Sequence, residues 1–93
     1  MNSGQLIFDG SSSQRVSSLN KPFQTAIFWG YTGFTDGLPG DNSAVAYVGK
    51  SDSQMPIKVA AGSSYTLSLP TKDNLKNYFA SGSANDGLLY YAW

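Results

Sequence analysis

The sequence predicts an all-β fold: a small antiparallel β-sandwich or barrel-like domain of about six to eight short strands, with a polar N-terminal arm. Three observations carry this. Glutamate is absent, while Gly, Ser, Thr, Asn and aromatic residues are abundant, a composition that disfavours helices. Several short segments alternate apolar and polar side chains. Between them stand Gly, Asp, Asn and Pro, the residues of turns. Ninety-three residues supply one modest core and too little for two. Residues 1–22 form the arm or a peripheral strand, and residues 23–93 form the sandwich.

Taken in order, the arm holds the apolar patch Leu6, Ile7 and Phe8, then the polar run "DGSSSQRVSSLNKP", interrupted only by Val16 and Leu19. In "PFQTAIFWGY" the alternation from Phe23 places Thr25, Ile27, Trp29 and Tyr31 on one face and Gln24, Ala26, Phe28 and Gly30 on the other. With Phe23 inward, Trp29 and Tyr31 fill core and Phe28 points out. The segment "SAVAYVGK" is apolar on both faces, Val45 and Tyr47 against Ala44, Ala46 and Val48, so it needs cover on both sides. "MPIKVAAG" alternates Met55, Ile57 and Val59 against Pro56, Lys58 and Ala60, and Pro56 marks an edge or a strand start. The clearest strand is "SSYTLSLP", with Tyr65, Leu67 and Leu69 on one face and Ser64, Thr66 and Ser68 on the other. "NLKNYFASG" reads as a turn followed by a strand through Tyr78 to Ser81. "SANDGLL" carries Asn-Asp-Gly turn chemistry, and "GLLYYAW" is an apolar final strand.

Six Lys and Arg balance six Asp, so no charged field draws nucleic acid or a membrane surface. The absence of histidine and cysteine removes triad hydrolases, zinc hydrolases, thiolate chemistry and disulfides. The N-terminus lacks the basic and long apolar regions of a signal peptide, and no apolar run spans a bilayer. Serines beside glycine have no base to activate them. The aspartates sit in turn-like settings, which argues against paired-carboxylate glycoside hydrolysis and against a calcium loop at "DGLPGDN". No enzyme activity, cofactor or metal is expected.

The aromatic residues are the stronger candidates. Phe28, Trp29, Tyr31 and Phe34 crowd into "FWGYTGF". A sugar platform needs its rings on one exposed side, and the alternation divides these between two. An oligomer interface fits better, with Phe28, Ala44, Ala46 and Val48 as an exposed apolar patch covered by identical copies. Phe34, Asp36 and Asp41 form a candidate ligand loop.

From Asn42 onward the chain resembles a small β-sandwich of tailed-bacteriophage virion proteins. The likeness rests on Asn42 to Gly49 ("NSAVAYVG"), Ile57 to Leu69, Leu75 to Ala80, and a turn leading into the final aromatic strand, Asp86 to Trp93. The insertion "TGFTDGLPGD" before Asn42, and Asn-Asp-Gly where Gly-Asp is more usual, depart from that pattern. The resemblance implies a capsid decoration (cement) or head-fibre subunit, commonly a homotrimer, partnered by capsid protein and located in a virion assembled in the host cytoplasm. Leu6, Ile7 and Phe8 would be the capsid contact arm. The alternative is a carbohydrate- or receptor-binding module of a tail fibre, which requires an exposed Trp29 or Phe34.

Overall fold

The protein is described by a computed structural model covering residues 2–35 and 38–93, with 32–35 and 38–41 described through their backbone. It is all-β. The strands are β1 (Asn2–Ile7), β2 (Gln14–Arg15), β3 (Pro22–Trp29), β4 (Tyr31–Thr35), β5 (Leu38–Asp41), β6 (Ala46–Gly49), β7 (Ile57–Val59), β8 (Ser64–Asn74), β9 (Phe79–Ser81) and β10 (Gly87–Ala92). A 3₁₀ turn, Leu75–Asn77, precedes β9, as the turn-then-strand reading of "NLKNYFASG" expects. Its cap is Asn74, whose side chain accepts from the Lys76 N–H.

Two four-stranded antiparallel sheets make the sandwich. The first has the order β1-β10-β3-β8 and the second β2-β9-β6-β7, while β4 and β5 pair as a separate hairpin. The N-terminal arm therefore lies along the body as an edge strand of each sheet. Between the sheets sits a core that includes Phe8, Val16, Phe23, Phe28, Val48, Val59, Leu75, Tyr78, Leu88 and Tyr90. Phe23 and Tyr78 meet edge to face at 5.4 Å between ring centres.

The strand β3 does not keep one alternation along its length. Its pairing with β8 shifts between Phe23 and Thr25, and the N–H groups of both Gln24 and Thr25 donate to the one carbonyl of Trp93, at 2.8 and 2.9 Å. Two residues opposing one is a β-bulge, and it exchanges the two faces of the strand beyond it. Phe23 stays inward; after the bulge Ala26 and Phe28 are also inward, and Ile27 and Trp29 turn outward. This corrects the reading that carried Phe23's parity through to Trp29 and sent Phe28 to the surface. In β6, Ala46 and Val48 point into the core and Tyr47 out, so one face of the segment is core while the other, with Val45 and Tyr47, is exposed and not covered as expected.

A polar latch ties the second sheet's approach to the first. The Asn42 amide donates to the Gly87 carbonyl and accepts from the Gly87 N–H, both at 2.8 Å, imitating a backbone ladder at the start of β10. Next to it the buried Asp86 carboxylate accepts from the Ser43 N–H (2.9 Å), the Ser43 hydroxyl (3.0 Å) and the Ala44 N–H (3.1 Å). Asn85 takes a left-handed φ of 73°, which asparagine tolerates, and this turns the chain into Asp86. The segments at Asn42–Ala44 and Asp86–Gly87 thus meet in space.

Candidate association surface

The outward side chains of the first sheet form one surface. Cross-strand partners share a face, so the pairs Leu89↔Trp29, Tyr91↔Ile27, Ser3↔Tyr91 and Gln5↔Leu89 set its layout. Its apolar centre is Ile27, Trp29, Leu89 and Tyr91, with Ser64 and Thr66 beyond β3 and Ser3 and Gln5 beyond β10. Trp29 and Tyr91 pack edge to face, 5.2 Å between centres and 90° between planes. Tyr91 is 44% exposed and Trp93 50%, with Ile7 at 44% on β1. Residues 2–7, 25–29, 64–68 and 87–92 of this sheet contain no charged residue; Asp73, paired with Phe23, lies beyond the bulge. By contrast the second sheet carries Arg15, over the Phe79 ring at 4.8 Å, and Lys58.

The expected oligomer patch divides differently. Phe28, Ala46 and Val48 have 0%, 1% and 0% exposure, so none offers surface to another copy, while Ala44 lies exposed in the turn after Asn42. The expected contact arm divides too: Phe8 is core, Leu6 is partly buried against the core, and Ile7 is exposed. The candidate ligand loop, Phe34, Asp36 and Asp41, lies outside the described side chains. What the sequence reading missed is the face built by Ile27, Trp29, Leu89 and Tyr91. Nothing in the pattern of β3 alone marks the bulge that creates it.

A second polar cluster joins Lys50, Asp73 and Tyr78. The Lys50 ammonium lies 2.7 Å from the Asp73 carboxylate, which also accepts from the Tyr78 hydroxyl (3.2 Å), the Asn77 amide (3.0 Å) and the Asn74 N–H (2.8 Å). Partial burial pushes the Asp73 carboxyl up, but Lys50, Asn77 and Asn74 together outweigh it and hold the group down to about 2. Burial, then the neighbouring Asp73 charge, pushes the Tyr78 phenol up to about 12. A carboxylate held ionised beside a phenol held protonated exchanges no proton near neutrality, so this trio orders the junction of β8 with the 3₁₀ turn.

The trio makes stability pH-dependent at both ends. Asp73, depressed from 3.8, contributes fully above about pH 4 and loses that contribution as pH falls through about 2. Tyr78, raised from 10.0, contributes below pH 10 and loses its share as pH rises through about 12. Chemical denaturation of Asp73→Asn across pH 1.5–5 is expected to remove an acid limb worth about 1–2 kcal/mol, allowing for screening of the exposed Lys50. Tyr78→Phe should flatten the alkaline limb and spare the acid one. An unchanged acid limb in Asp73→Asn would mean that the ion pair does not stabilise the fold.

Comparison with protein-family models, curated proteins and solved structures finds no match to this chain. Fold and surface together define a small β-sandwich with one charge-free, aromatic sheet face.

Proposed function

We propose that the chain is a non-enzymatic virion structural subunit, a capsid decoration or cement protein, and that it meets the capsid lattice through the outer face of the first sheet. One observation supports this above the rest: the face combines exposed aromatic and aliphatic side chains with an absence of charge in residues 2–7, 25–29, 64–68 and 87–92. The centre of a protein–protein interface has that composition, aromatic-rich and depleted of charge. Ile7 of the arm belongs to the same face, so arm and sheet offer one contact surface. Many copies on a repeating lattice turn modest individual contacts into firm attachment. The homotrimer belongs to this reading and rests on the resemblance of residues 42–93.

Cosedimentation with undecorated capsids tests it. The parent chain is expected to pellet, and the double variant Trp29→Ala/Tyr91→Asp to lose at least about tenfold in affinity while keeping its far-ultraviolet dichroism. Equal pelleting of the two would remove the face from the contact. Light scattering at tens of micromolar is expected to give a mass above 9.9 kDa, and a monomer there would end the oligomer reading.

A second reading is a carbohydrate- or receptor-binding module. It is favoured by the exposure of Trp93 and Tyr91 and by the outward turn of Trp29, which lets rings stack on sugars. Quenching of tryptophan fluorescence by glycans, without capsid binding, would establish it over the first.

A further inference from the structure

The two sheets treat their edges differently. In the second sheet the edge strands are two and three residues long, and β7 carries Lys58 and is preceded by Pro56, devices that discourage pairing. The first sheet ends on β8, eleven residues long, in which Pro70 and Lys72 come only after the stretch Ser64–Leu69, and that stretch carries neither charge nor proline. Its hydrogen-bonding sides can be assigned. The Ser63 carbonyl accepts from the Gly30 N–H (2.9 Å) and the Leu69 carbonyl from the Gln24 amide (3.1 Å), both toward β3. Backbone groups alternate sides along a strand, so Tyr65 and Leu67 also face β3, while Ser64, Thr66 and Ser68 turn N–H and C=O outward. Among the described residues those outward groups have no protein partner.

Beside this edge runs a cleft of about 660 Å³. Leu67 lines one side, and the β6–β7 connection, through Lys50, Met55, Pro56 and Ile57, lines the other, with Tyr78 also in its wall. We propose that the free edge of β8 and this cleft bind an extended segment of a partner polypeptide by strand addition. The main chain of the segment pairs with Ser64, Thr66 and Ser68, and every second, apolar side chain enters the cleft between Leu67 and Met55–Ile57. A single strand is the matching occupant, because the β6–β7 connection walls the cleft on the side away from β8. Lys50 adds a charge preference. Its ammonium has three donors, spends one on Asp73, and is 60% exposed at the cleft, so a carboxylate in the segment is matched there. The backbone edge and the cleft border the outer face, which Ser64 and Thr66 share through their side chains, and the proposal does not depend on the capsid reading.

The test uses the full chain, isotope-labelled, titrated with the end-blocked heptapeptide Thr-Val-Ser-Val-Thr-Val-Asp. Saturable amide shifts are expected in residues 64–69 and 50–57, with Kd on the order of 0.1–1 mM. Thr66→Pro and Ser68→Pro remove outward N–H groups while leaving the bonds to β3, so each is expected to weaken binding at least about tenfold with little change in Tm. A control peptide with lysine in place of the valines should not bind. The proposal is overturned by no shift at several millimolar peptide, by undiminished binding in a well-folded Thr66→Pro, or by shifts confined to the Trp29–Tyr91 face. It is also overturned if the chain alone sediments as a dimer that Thr66→Pro returns to monomer, since a second copy then occupies the edge. Met55→Asp, in the cleft and off the first sheet, is expected to lose peptide binding as well and to leave capsid pelleting unchanged, which keeps this test apart from that of the outer face.

Discussion

Asp86→Ala is expected to destabilise the domain by about 3 kcal/mol or more, since hydrogen bonds to a charged acceptor are worth about 1.5–3 kcal/mol each and are not fully additive. Asp86 is buried, and its carboxylate gathers the Ser43 N–H and hydroxyl and the Ala44 N–H. Removing it strands those donors and frees the turn that leads into β6. A domain of this size has only about 5–15 kcal/mol in total, so Tm should fall by more than about 10 °C. Asp86→Asn keeps one acceptor oxygen and should fall between the two. Thermal melts of the three proteins make the comparison, and a loss below about 1 kcal/mol for the alanine variant would show that the latch is not a main tie between the sheets.

Deletion of Gln24 is expected to be as damaging or worse. The bulge lets Phe23 on one side of it and Ala26 and Phe28 on the other share the inner face. With one residue fewer, a single alternation must run through the strand. Then either Phe23 leaves the core, at about 3–5 kcal/mol, or Ala26 and Phe28 leave while Ile27 and Trp29 are forced in. Gln24→Ala is the informative companion. It keeps the residue count and loses the amide's bonds to the Leu69 and Pro70 carbonyls, for about 1 kcal/mol. Dichroism and denaturant midpoints should separate the two sharply. A deletion variant as stable as Gln24→Ala would mean that the strand tolerates either parity.

The fold class and much of the strand order are readable from the chain because period-two patterning reports burial wherever pairing is regular. β7 and the paired part of β8 follow it closely: Val59 is buried and Lys58 exposed, and Leu67 and Leu69 face the core while Ser64, Thr66 and Ser68 face out. The aromatic outer face was not readable, for a specific reason. Alternation fixes the relative orientation of neighbours but not the absolute one, and a single extra residue at Gln24 reverses it for everything up to Trp29. In β6 a different limit applied. Ala46, Tyr47 and Val48 are all apolar, so pattern alone did not say which side is core. The latch was half readable: Asn-Asp-Gly is visible as a turn, but the meeting of Asp86 with Ser43 spans over forty residues and belongs to tertiary structure.

The order β1-β10-β3-β8 has a consequence for how the molecule comes into being. β10, the last strand in sequence, lies between β1, the first, and β3. While the chain is being made, β1 has no neighbour to join and β3 has only β8, so the first sheet closes in one late step when residues 87–92 become available. Pairing between such distant segments is slow because the loop entropy must be overcome before any contact forms. Until then Ile27, Trp29 and Phe28 stand beside an open slot, and the nascent protein is at its most vulnerable to mispairing. The same strand that completes the sheet also completes the aromatic face, so that face is whole only once residues 87–92 have docked.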